Sequence, residues 1–339
     1  MSHHPRQLRR YSRRATSHSR VRSQRKRAKL HVDDSSDDKV FQSPVVTFEP
    51  IVPVAALRLK LPYFNHGGIQ LGDGRYLFAS RETDPPGGPV KLVITDGNYN
   101  PISMDATADN IGPAAHDPRL FIRVDGTIAM WAPAITEDST HGSGRCMTDT
   151  SVEVIGDKIV VHDTKKLPRL QPHEKNWILH GEHVLYHPDR GMILKYETGE
   201  VVFECRAMNI GLRGGTNLLL VAGTDAAIMI THSFVATPKR VYSAQLCICD
   251  ASFPFMIRSI HPIADVSGLH RKTNQSRWCR NQIQSVIFPM GLWYRPDVNQ
   301  YHCVAGINDS ASFILSFDQK KIMALASHDS AITAIEYPI

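Results

Sequence analysis

The sequence lacks the features that define several common classes of protein. It has no run of about 18 apolar residues, which argues against a transmembrane helix, and no apolar leader of the signal-peptide type. Its six cysteines are few for the length, and none of them forms a Cys-x-x-Cys pair. We therefore expect an intracellular, cytoplasmic protein with reduced, mostly buried thiols and no metal site.

Acidic residues are missing from residues 1–30, although the whole chain contains 33 of them. This segment carries eleven Lys or Arg, so the formal charge of +6 becomes −5 once those eleven are subtracted. Residues 1–44 are therefore predicted to be a disordered basic tail followed by an acidic spacer, DDSSDD. Nuclear or organellar targeting, contact with nucleic acid or an anionic membrane, and simple solubilisation are all open for this tail.

Long amphipathic helices are also missing, whereas short runs of Val, Ile, Leu, Phe and Tyr alternate with turn residues from residue 45 onward. GIQLGDGRYLFASR, RLFIRVDGTIAMWAP, VEVIGDKIVVHD and GMILKYETGEVVFEC each read as strand, tight turn and strand. This pattern predicts an all-β fold that is too long for a typical sandwich. We predict a five-bladed β-propeller over residues 45–339, with blades of roughly 55–60 residues, because ring closure leaves few exposed sheet edges.

Polar residues suited to a ligand site lie near the ends of the predicted strands and far apart in sequence. In a propeller, the innermost strands and their loops converge on the mouths of the central channel. The candidates are Asn65, Arg81, Asp117, Arg119, Lys175, Asn176, Arg213, His232 and Asp309. Taken singly, each also has a structural explanation, such as a turn-capping Asn or Asp, a surface Arg or a buried structural His.

Three short motifs combine these residue types more closely. HDPRLF places a carboxylate and a guanidinium two residues apart, directly before a predicted buried strand. EKNW brings together an acid, a cation, an amide and an indole, and GLRGGTN sets an arginine among glycines, where backbone can approach a ligand. Arginines and lysines that converge from separate turns match the geometry of a phosphate group.

The order of the motifs resembles that of glycoside hydrolase family 130, the five-bladed β-mannoside phosphorylases. It also resembles glycosyltransferase family 108, their β-1,2-mannosyltransferase relatives. The likeness runs from Tyr63 to about Phe317, through YFNHGGI, FASRE, HDPRLFIRVDGTIAM, EKNWILHGEHVLYHP, YSAQLCICDASFPFMIRSIHPI, IFPMGLWYR and AGINDSA. His116 stands where these families usually have a glutamate beside the acid.

The resemblance implies an enzyme that makes or breaks β-mannosidic linkages, of the β-1,2 type, by inverting transfer. It assigns the acid to Asp117, and it assigns phosphate contacts to Arg81, Lys175, Arg145 and Arg213. Sugar contacts are assigned to Asn65, Arg119, Asn176, His232 and Asp309. No cofactor is implied, since the substrates are a mannoside or oligosaccharide with inorganic phosphate, a sugar phosphate or a nucleotide sugar.

Two alternatives accompany this interpretation. One is a glycoside hydrolase of the same fold, which would need a carboxylate to activate water where a phosphorylase uses an anionic nucleophile. The retained Lys175 and arginines favour transfer to or from a phosphate-bearing species over hydrolysis. The other alternative is a non-catalytic propeller that binds glycans or serves as a scaffold.

Overall fold

Strands dominate the computed structural model, in which five antiparallel sheets form a five-bladed β-propeller. The structure describes residues 49–81, 89–112, 115–138, 142–168, 170–188, 191–205, 211–236, 240–264 and 286–329. The predicted basic tail, residues 1–44, lies outside these described residues. The predicted all-β class and propeller architecture are confirmed.

The first three blades are simple meanders that follow one another along the chain. After a first strand β1 (Ala55–Arg58), which belongs to the last blade, the first blade contains β2 (Phe64–Gln70), β3 (Tyr76–Arg81), β4 (Val90–Thr95) and β5 (Pro101–Ala108). The second blade contains β6 (Arg119–Ile122), β7 (Ile128–Asp138), β8 (Gly142–Ile155) and β9 (Lys158–Lys166). The third contains β10 (Ile178–His180), β11 (His183–His187), β12 (Met192–Lys195) and β13 (Val201–Phe203).

The fourth and fifth blades depart from the simple meander. In the fourth blade the innermost strand is interrupted, so that β14 (Leu212–Arg213) and β15 (Leu219–Leu220) both pair with β16 (Ala226–Ala236). That blade continues with β17 (Arg240–Asp250) and β18 (Ile257–Pro262). The fifth blade contains β19 (Ile287–Arg295), β20 (Gln300–Ile307) and β21 (Ala311–Asp318), and β1 pairs antiparallel with β21.

The four hairpins predicted from turn residues all occur, as β2–β3, β6–β7, β8–β9 and β12–β13. Their turns contain residues in the left-handed region, such as Gly126 with φ 82° and Gly156 with φ 57°. Glycine adopts this conformation without the steric penalty that a Cβ imposes. Local turn chemistry therefore accounts for the pairing of neighbouring strands.

Blade length follows the prediction only in the first half of the chain. The first blade begins at Phe64, the second at Arg119 and the third at Ile178, which gives spacings of 55 and 59 residues. The fourth begins at Leu212 and the fifth at Ile287, which gives 34 and 75 residues. The predicted 55–60 residues per blade is therefore wrong for the third and fourth blades, whose strands and connections differ most in length.

Hydrophobic clusters fill the spaces between adjacent blades. One cluster contains Leu77 and Leu92 of the first blade beside Leu120 and Met130 of the second. Others join the second blade to the third and fourth, the fourth to the fifth, and the fifth back to the first. Each fully buried Leu or Met contributes roughly 1.5–3 kcal/mol relative to an exposed one, so contacts between blades stabilise the ring.

A helix that the sequence pattern does not predict, α1 (Gln319–Asp329), follows β21 directly. The Asp318 carboxylate accepts a hydrogen bond from the Lys321 amide at 3.0 Å, which caps the first turn. Ile322 and Ala326, spaced by four residues, are fully buried against the fourth and fifth blades. This narrow apolar stripe is too short to give a clear helical period in the sequence.

The cysteines agree with the sequence prediction within the described residues. Cys146, Cys247, Cys249 and Cys303 are buried, Cys205 is half-buried, and none of these five belongs to a disulfide. Burial raises the pKa of the Cys247 thiol to about 12, so this thiol is protonated at neutral pH. Cys279 lies outside the described residues.

Candidate functional site

Most of the predicted site residues lie where the innermost strands begin. Asn65 is the second residue of β2, and Asp117 and Arg119 lie at the start of β6. Asn176 precedes β10 by two residues, and Asp309 lies in the turn between β20 and β21. Because each innermost strand opens its blade in the same direction, these positions share one end of the propeller, which we call the site end.

The side-chain amide of Asn65 joins the first, second and fifth blades. Its Nδ2 donates hydrogen bonds to Asp117 Oδ1 at 3.0 Å and to Asp309 Oδ1 at 2.8 Å. Its Oδ1 is buried without a hydrogen-bond partner, and a Cβ at Gly306 would lie 2.0 Å from that oxygen. The amide therefore fixes the spacing of two carboxylates that are distant in sequence, and only glycine leaves it enough room.

Arg81, the last residue of β3, lies between the same two carboxylates. Its Nη1 is 3.8 Å from Asp117 Oδ1, and its Nη2 is 3.7 Å from Asp309 Oδ1. The guanidinium also lies over the ring of Phe64, 4.5 Å from the centroid, in cation–π geometry. Hydrogen-bonded ion pairs measure roughly 2.7–2.9 Å, so Arg81 attracts both carboxylates without being locked to either.

Four site residues have a left-handed backbone. The φ angles are 51° for Asn65, 47° for Asp117, 62° for Asn176 and 49° for Asp309. Asn and Asp tolerate this region better than other residues with a side chain, yet it costs roughly 1–3 kcal/mol at each position. Strain of this kind concentrates at functional sites, because the surrounding structure must hold the side chain in a particular direction.

The surroundings of Asp117 keep its carboxyl ionised in the ligand-free protein. Burial alone would raise its pKa, but the charges of His116, Arg81 and Arg119 and the hydrogen bond from Asn65 outweigh burial and hold the pKa below the ordinary value of 3.8. At neutral pH this carboxyl carries no proton. A role as proton donor would require a ligand that raises this pKa.

Arg119 is a buried clamp between three blades. Its Nε donates to the Gly215 carbonyl at 2.8 Å, and its Nη2 donates to Asn176 Oδ1 at 3.0 Å and to the Gly214 carbonyl at 3.3 Å. Its guanidinium lies 5.5 Å from the ring centroid of Phe288. Burial lowers the pKa of Arg119 to about 10, so it stays charged at neutral pH. These contacts favour a positioning role over the direct sugar contact predicted from the sequence.

His232 lies in a pocket of positive charge in β16. Burial, together with the nearby charges of Arg119, Lys175 and Arg213, lowers its pKa well below the ordinary value of 6.5, so the ring is neutral. Its Nδ1 is buried without a hydrogen-bond partner. The ring packs 4.6 Å from that of Phe288. A neutral imidazole with an unsatisfied nitrogen can accept or donate one hydrogen bond to a ligand.

Lys175, from the loop before β10 of the third blade, and Arg213, from the same blade as His232, both act on the His232 ring. Arg213 is the direct cross-strand partner of His232 in the β14–β16 pair, so it lies on a strand and not in the predicted glycine-rich turn. A Cβ at Gly214 would lie 1.9 Å from the Asn176 carbonyl oxygen. Gly214 thus permits close contact between the backbones of the third and fourth blades. The sequence interpretation had expected these glycines to let the backbone approach a ligand.

Glu174, which the sequence analysis did not select, organises the EKNW motif. Its buried carboxylate accepts hydrogen bonds from the hydroxyl of Tyr186 at 2.7 and 2.8 Å and from Trp177 Nε1 at 3.2 Å. The amides of Leu170 and Gln171 also donate to it at 2.7 Å. Trp177 is buried in the core. Glu174 and Trp177 therefore fix the conformation of the loop that carries Lys175 and Asn176.

Arg145 touches this loop through its backbone. Its amide donates to the Pro172 carbonyl at 2.9 Å, and its carbonyl accepts from the Glu174 amide at 3.1 Å. Its Nε is buried without a hydrogen-bond partner. Arg145 thus lies beside the segment that carries Lys175, although it comes from the middle of β8.

The structure therefore brings the predicted residues together in two adjoining groups. Asn65, Asp117, Arg81 and Asp309 form one hydrogen-bonded and ion-paired cluster. The second group surrounds His232 and contains Arg119, Asn176, Lys175 and Arg213, with Arg145 attached through its backbone. Sequence reasoning missed Glu174, Phe64 and Phe288, although each lies inside or beside a motif already singled out.

No protein-family model and no curated protein matches the sequence. Solved structures share its fold. The GDP-Man-dependent mannosyltransferase MPT-1 from Leishmania mexicana matches with a TM-score of 0.52 and 14% identity, over 78% of this chain and 90% of that chain. The β-1,2-mannobiose phosphorylase from Listeria innocua, in complex with β-1,2-mannobiose, matches with a TM-score of 0.52 and 11% identity, over 79% and 92%. At the level of the fold, the predicted resemblance is confirmed.

Among the described residues, no group of three or more His, Cys, Asp or Glu side chains is arranged to bind a metal ion. Within the same part of the chain, no helix is long and apolar enough to span a membrane.

Proposed function

We propose that the protein is a carbohydrate-active enzyme that makes or breaks β-mannosidic linkages, as a phosphorylase or a mannosyltransferase. The observation that carries the proposal is the Asn65 amide, which aims the carboxylate of Asp117 beside Arg81 and Asp309. An ordinary turn cap needs no such partners from two other blades. The arrangement is that of a carboxyl group positioned for proton transfer.

The second group of residues supports a phosphate-bearing substrate. The charges of Lys175, Arg213 and Arg119 act on the neutral ring of His232, whose Nδ1 has no hydrogen-bond partner among the residues that the structure describes. Guanidinium and ammonium groups that converge on one point favour a phosphate, whose oxygens accept several charge-assisted hydrogen bonds. A phosphate or a nucleotide sugar bound there would lie within the electrostatic field of Asp117, whose charge also acts on His232.

The reaction follows from these two groups. Asp117, once protonated, gives its proton to the leaving oxygen, and in the phosphorylase direction phosphate attacks the opposite face of the sugar. Because phosphate is already an anion, the reaction needs no second carboxylate as a base. Asn65 and Asp309 are placed to bind sugar hydroxyl groups, which we also propose for the unpartnered nitrogen of His232.

The specificity for mannose rests on the resemblance of the sequence motifs and on the shared fold. Both structural neighbours named above act on mannose compounds according to their names, one with a nucleotide sugar and one as a phosphorylase. The β-1,2 linkage is part of the proposal on the same grounds.

The experiment that tests this function is a donor screen with the full-length chain. Mannose 1-phosphate and GDP-mannose are each supplied with mannose or mannobiose acceptors, and products are separated by chromatography. We expect longer mannosides from at least one donor, no product with Asp117→Asn, and normal product with the matched control Asp157→Asn, whose side chain is 69% exposed and pairs with Arg75. Product formation by Asp117→Asn at the wild-type rate would refute the assignment.

One observation favours the hydrolase alternative. Asp309 is a second carboxylate in contact with the same Asn65 nitrogen as Asp117, and a carboxylate at that distance is able to activate a water molecule. A hydrolase releases mannose from mannobiose at full rate in phosphate-free buffer. A phosphorylase or transferase requires the phosphate-bearing partner, so the same preparation decides between them.

A further inference from the structure

The cluster at the site end holds two carboxylates on either side of one guanidinium. One guanidinium, that of Arg81, serves two carboxylates, at 3.8 Å from Asp117 and 3.7 Å from Asp309. Both carboxylates also accept from the same nitrogen of Asn65, so they cannot move apart without losing a hydrogen bond. The two carboxylates are therefore held close to each other, with Arg81 between them and with the charges of His116 and Arg119 also acting on Asp117.

Charged groups from every neighbouring element face this cluster. His116 precedes Asp117 in the same loop, Arg119 follows it on β6, and both act on its carboxyl group. Lys175 and Arg213 come from the loop before β10 and from β14, and they act on His232 in β16. The cations attract an anionic ligand to a place within the field of Asp117, while the two carboxylates repel it.

A proton on one carboxylate removes the repulsion between that carboxylate and the anionic ligand. Two unit charges about 5 Å apart, at an effective dielectric constant of about 20, repel strongly enough to change an affinity at least tenfold. Protonation of the carboxyl group abolishes this repulsion and leaves an O–H group that can donate to an oxygen of the ligand. Of the two carboxylates, Asp117 is the less exposed, at 20% against 29% for Asp309, and it is the one that the proposed transfer reaction needs in its acid form.

We propose that the site binds its phosphate-bearing substrate together with one proton, taken from solvent and placed on the carboxyl group of Asp117. The inference rests on the proposed function and deepens it, because the same event that binds the anion loads the acid. The balance is simple: one O–H bond forms at Asp117 as the anion enters. That proton passes to the leaving oxygen in the transfer step, and Asp117 is ionised again when the products leave.

The coupling is reciprocal by thermodynamic necessity. If the anion favours protonation of Asp117, then protonation of Asp117 favours the anion. Affinity for the anion therefore falls as pH rises through the range in which Asp117 loses its proton in the complex. A variant that is permanently neutral at this position does not show this part of the pH dependence.

Calorimetry with the full-length chain tests the proposal. Inorganic phosphate is titrated at pH 6 in two buffers with different ionisation enthalpies, which gives the number of protons taken up per phosphate. The variants are Asp117→Asn, Asp309→Asn and the control Asp157→Asn, each checked for a wild-type melting profile. Asparagine keeps the oxygen that accepts from Asn65, so the geometry is retained. The titration is repeated with sulfate, which has no titratable proton at pH 6, so a difference between variants that persists with sulfate reports the protein and not the anion.

We expect the wild type and Asp157→Asn to take up more protons than Asp117→Asn, by a difference approaching one. We also expect Asp117→Asn to bind phosphate about tenfold more tightly at pH 7.5, because a repelling charge is gone. A merely structural role for Asp117 predicts equal or weaker binding. The result most specific to the proposal is thus an inactive variant with improved affinity for phosphate.

Three results would overturn the proposal. One is an equal proton count in the wild type and Asp117→Asn. Another is loss of the extra proton only in Asp309→Asn, and the third is no binding of either phosphate or mannose 1-phosphate to the wild type. The outcome is separable from that of the donor screen: proton-coupled phosphate binding without mannosyl transfer refutes the proposed function alone, and transfer without the extra proton refutes this inference alone.

Discussion

Two carboxylates of the second blade, Asp149 and Asp117, are surrounded by cations in opposite ways. Asp149 has no exposed surface on its side chain, and its Oδ1 lies 2.6 Å from Arg123 Nη2. Its Oδ2 lies 3.4 Å from Lys165 Nζ and accepts from the hydroxyl of Tyr196. Three donors from the second and third blades therefore converge on this carboxylate, so it ties those blades together.

Asp117 is held less completely. Its ion-pair partner Arg81 lies 3.8 Å away, and 20% of its side chain is exposed. Its backbone is in the left-handed region with φ 47°, whereas Asp149 lies inside the regular strand β8. The comparison teaches that ion pairing alone does not identify a functional acid. The loosely paired carboxylate at a strained position is the one with room for chemistry.

The largest expected effect is on turnover. Asp117→Asn should lower turnover by about 10²–10⁴, the range contributed by a positioned acid or base, whereas Asp149→Asn should leave turnover within a few-fold of wild type. Initial rates of mannosyl transfer, measured at saturating donor, check this prediction. Similar losses in both variants would mean that Asp117 acts only through the fold, as Asp149 does.

Stability should respond in the reverse order. Asp149→Ala leaves the Arg123 guanidinium with only 15% of its side chain exposed and without its partner, and loss of a buried partner costs about 3 kcal/mol. Asp117→Asn should change the free energy of unfolding by less than about 1 kcal/mol, because the contact with Asn65 survives. Urea unfolding of the two variants measures the difference, and a larger loss in Asp117→Asn would reverse our assignment of roles.

A smaller effect concerns the pH profile of activity. Removing the Asn65 amide by Asn65→Ala deletes a hydrogen bond that lowers the pKa of Asp117. That pKa should then rise, so the alkaline limb of the activity profile moves to higher pH. Gly306→Ala tests the same contact from the other side, since its Cβ would lie 2.0 Å from Asn65 Oδ1. An unchanged alkaline limb in both variants would show that Asn65 does not act through Asp117.

The smallest expected effect is on stability in acid. The pKa of Asp117 in the folded protein lies below the ordinary value of 3.8, so its contribution to stability is complete above that pH and is lost as pH falls through the folded value. Asp117→Asn should therefore show a slightly shallower loss of stability below about pH 4. Thermal melting at several pH values from 3 to 6 measures how stability changes with pH. A steeper loss of stability toward low pH in the variant would contradict this prediction.

The sequence predicts those features of the fold that depend on residues close together in the chain. Each hairpin follows from alternating apolar residues around a glycine turn, and the first two blade lengths follow from the spacing of those turns. The short third blade and α1 escape prediction, because few residues in them show a clear period. Ile322 and Ala326 alone do not distinguish a helix from a strand end.

The candidate site is only partly predictable, for a related reason. HDPRLF and EKNW mark the correct places, yet their roles depend on contacts between blades. Nothing near Arg119 in sequence indicates that its Nε and Nη2 donate to two carbonyl groups and an amide oxygen of other blades. Likewise, the sequence does not distinguish Glu174 from an exposed acid, because the five donors to its carboxylate come together only in the folded chain.

The contact between Asn65 and Asp309 spans 244 residues, and the strand that closes the ring, β1, pairs with β21 at the far end of the described chain. During synthesis, the first blade therefore leaves the ribosome long before the partners of its own asparagine exist. The acid cluster forms only when the last blade arrives and the ring shuts. A nascent or cleaved chain that lacks the fifth blade contains Asp117 but not the complete cluster around it. Ring closure thus delays assembly of the candidate site until all five blades are present.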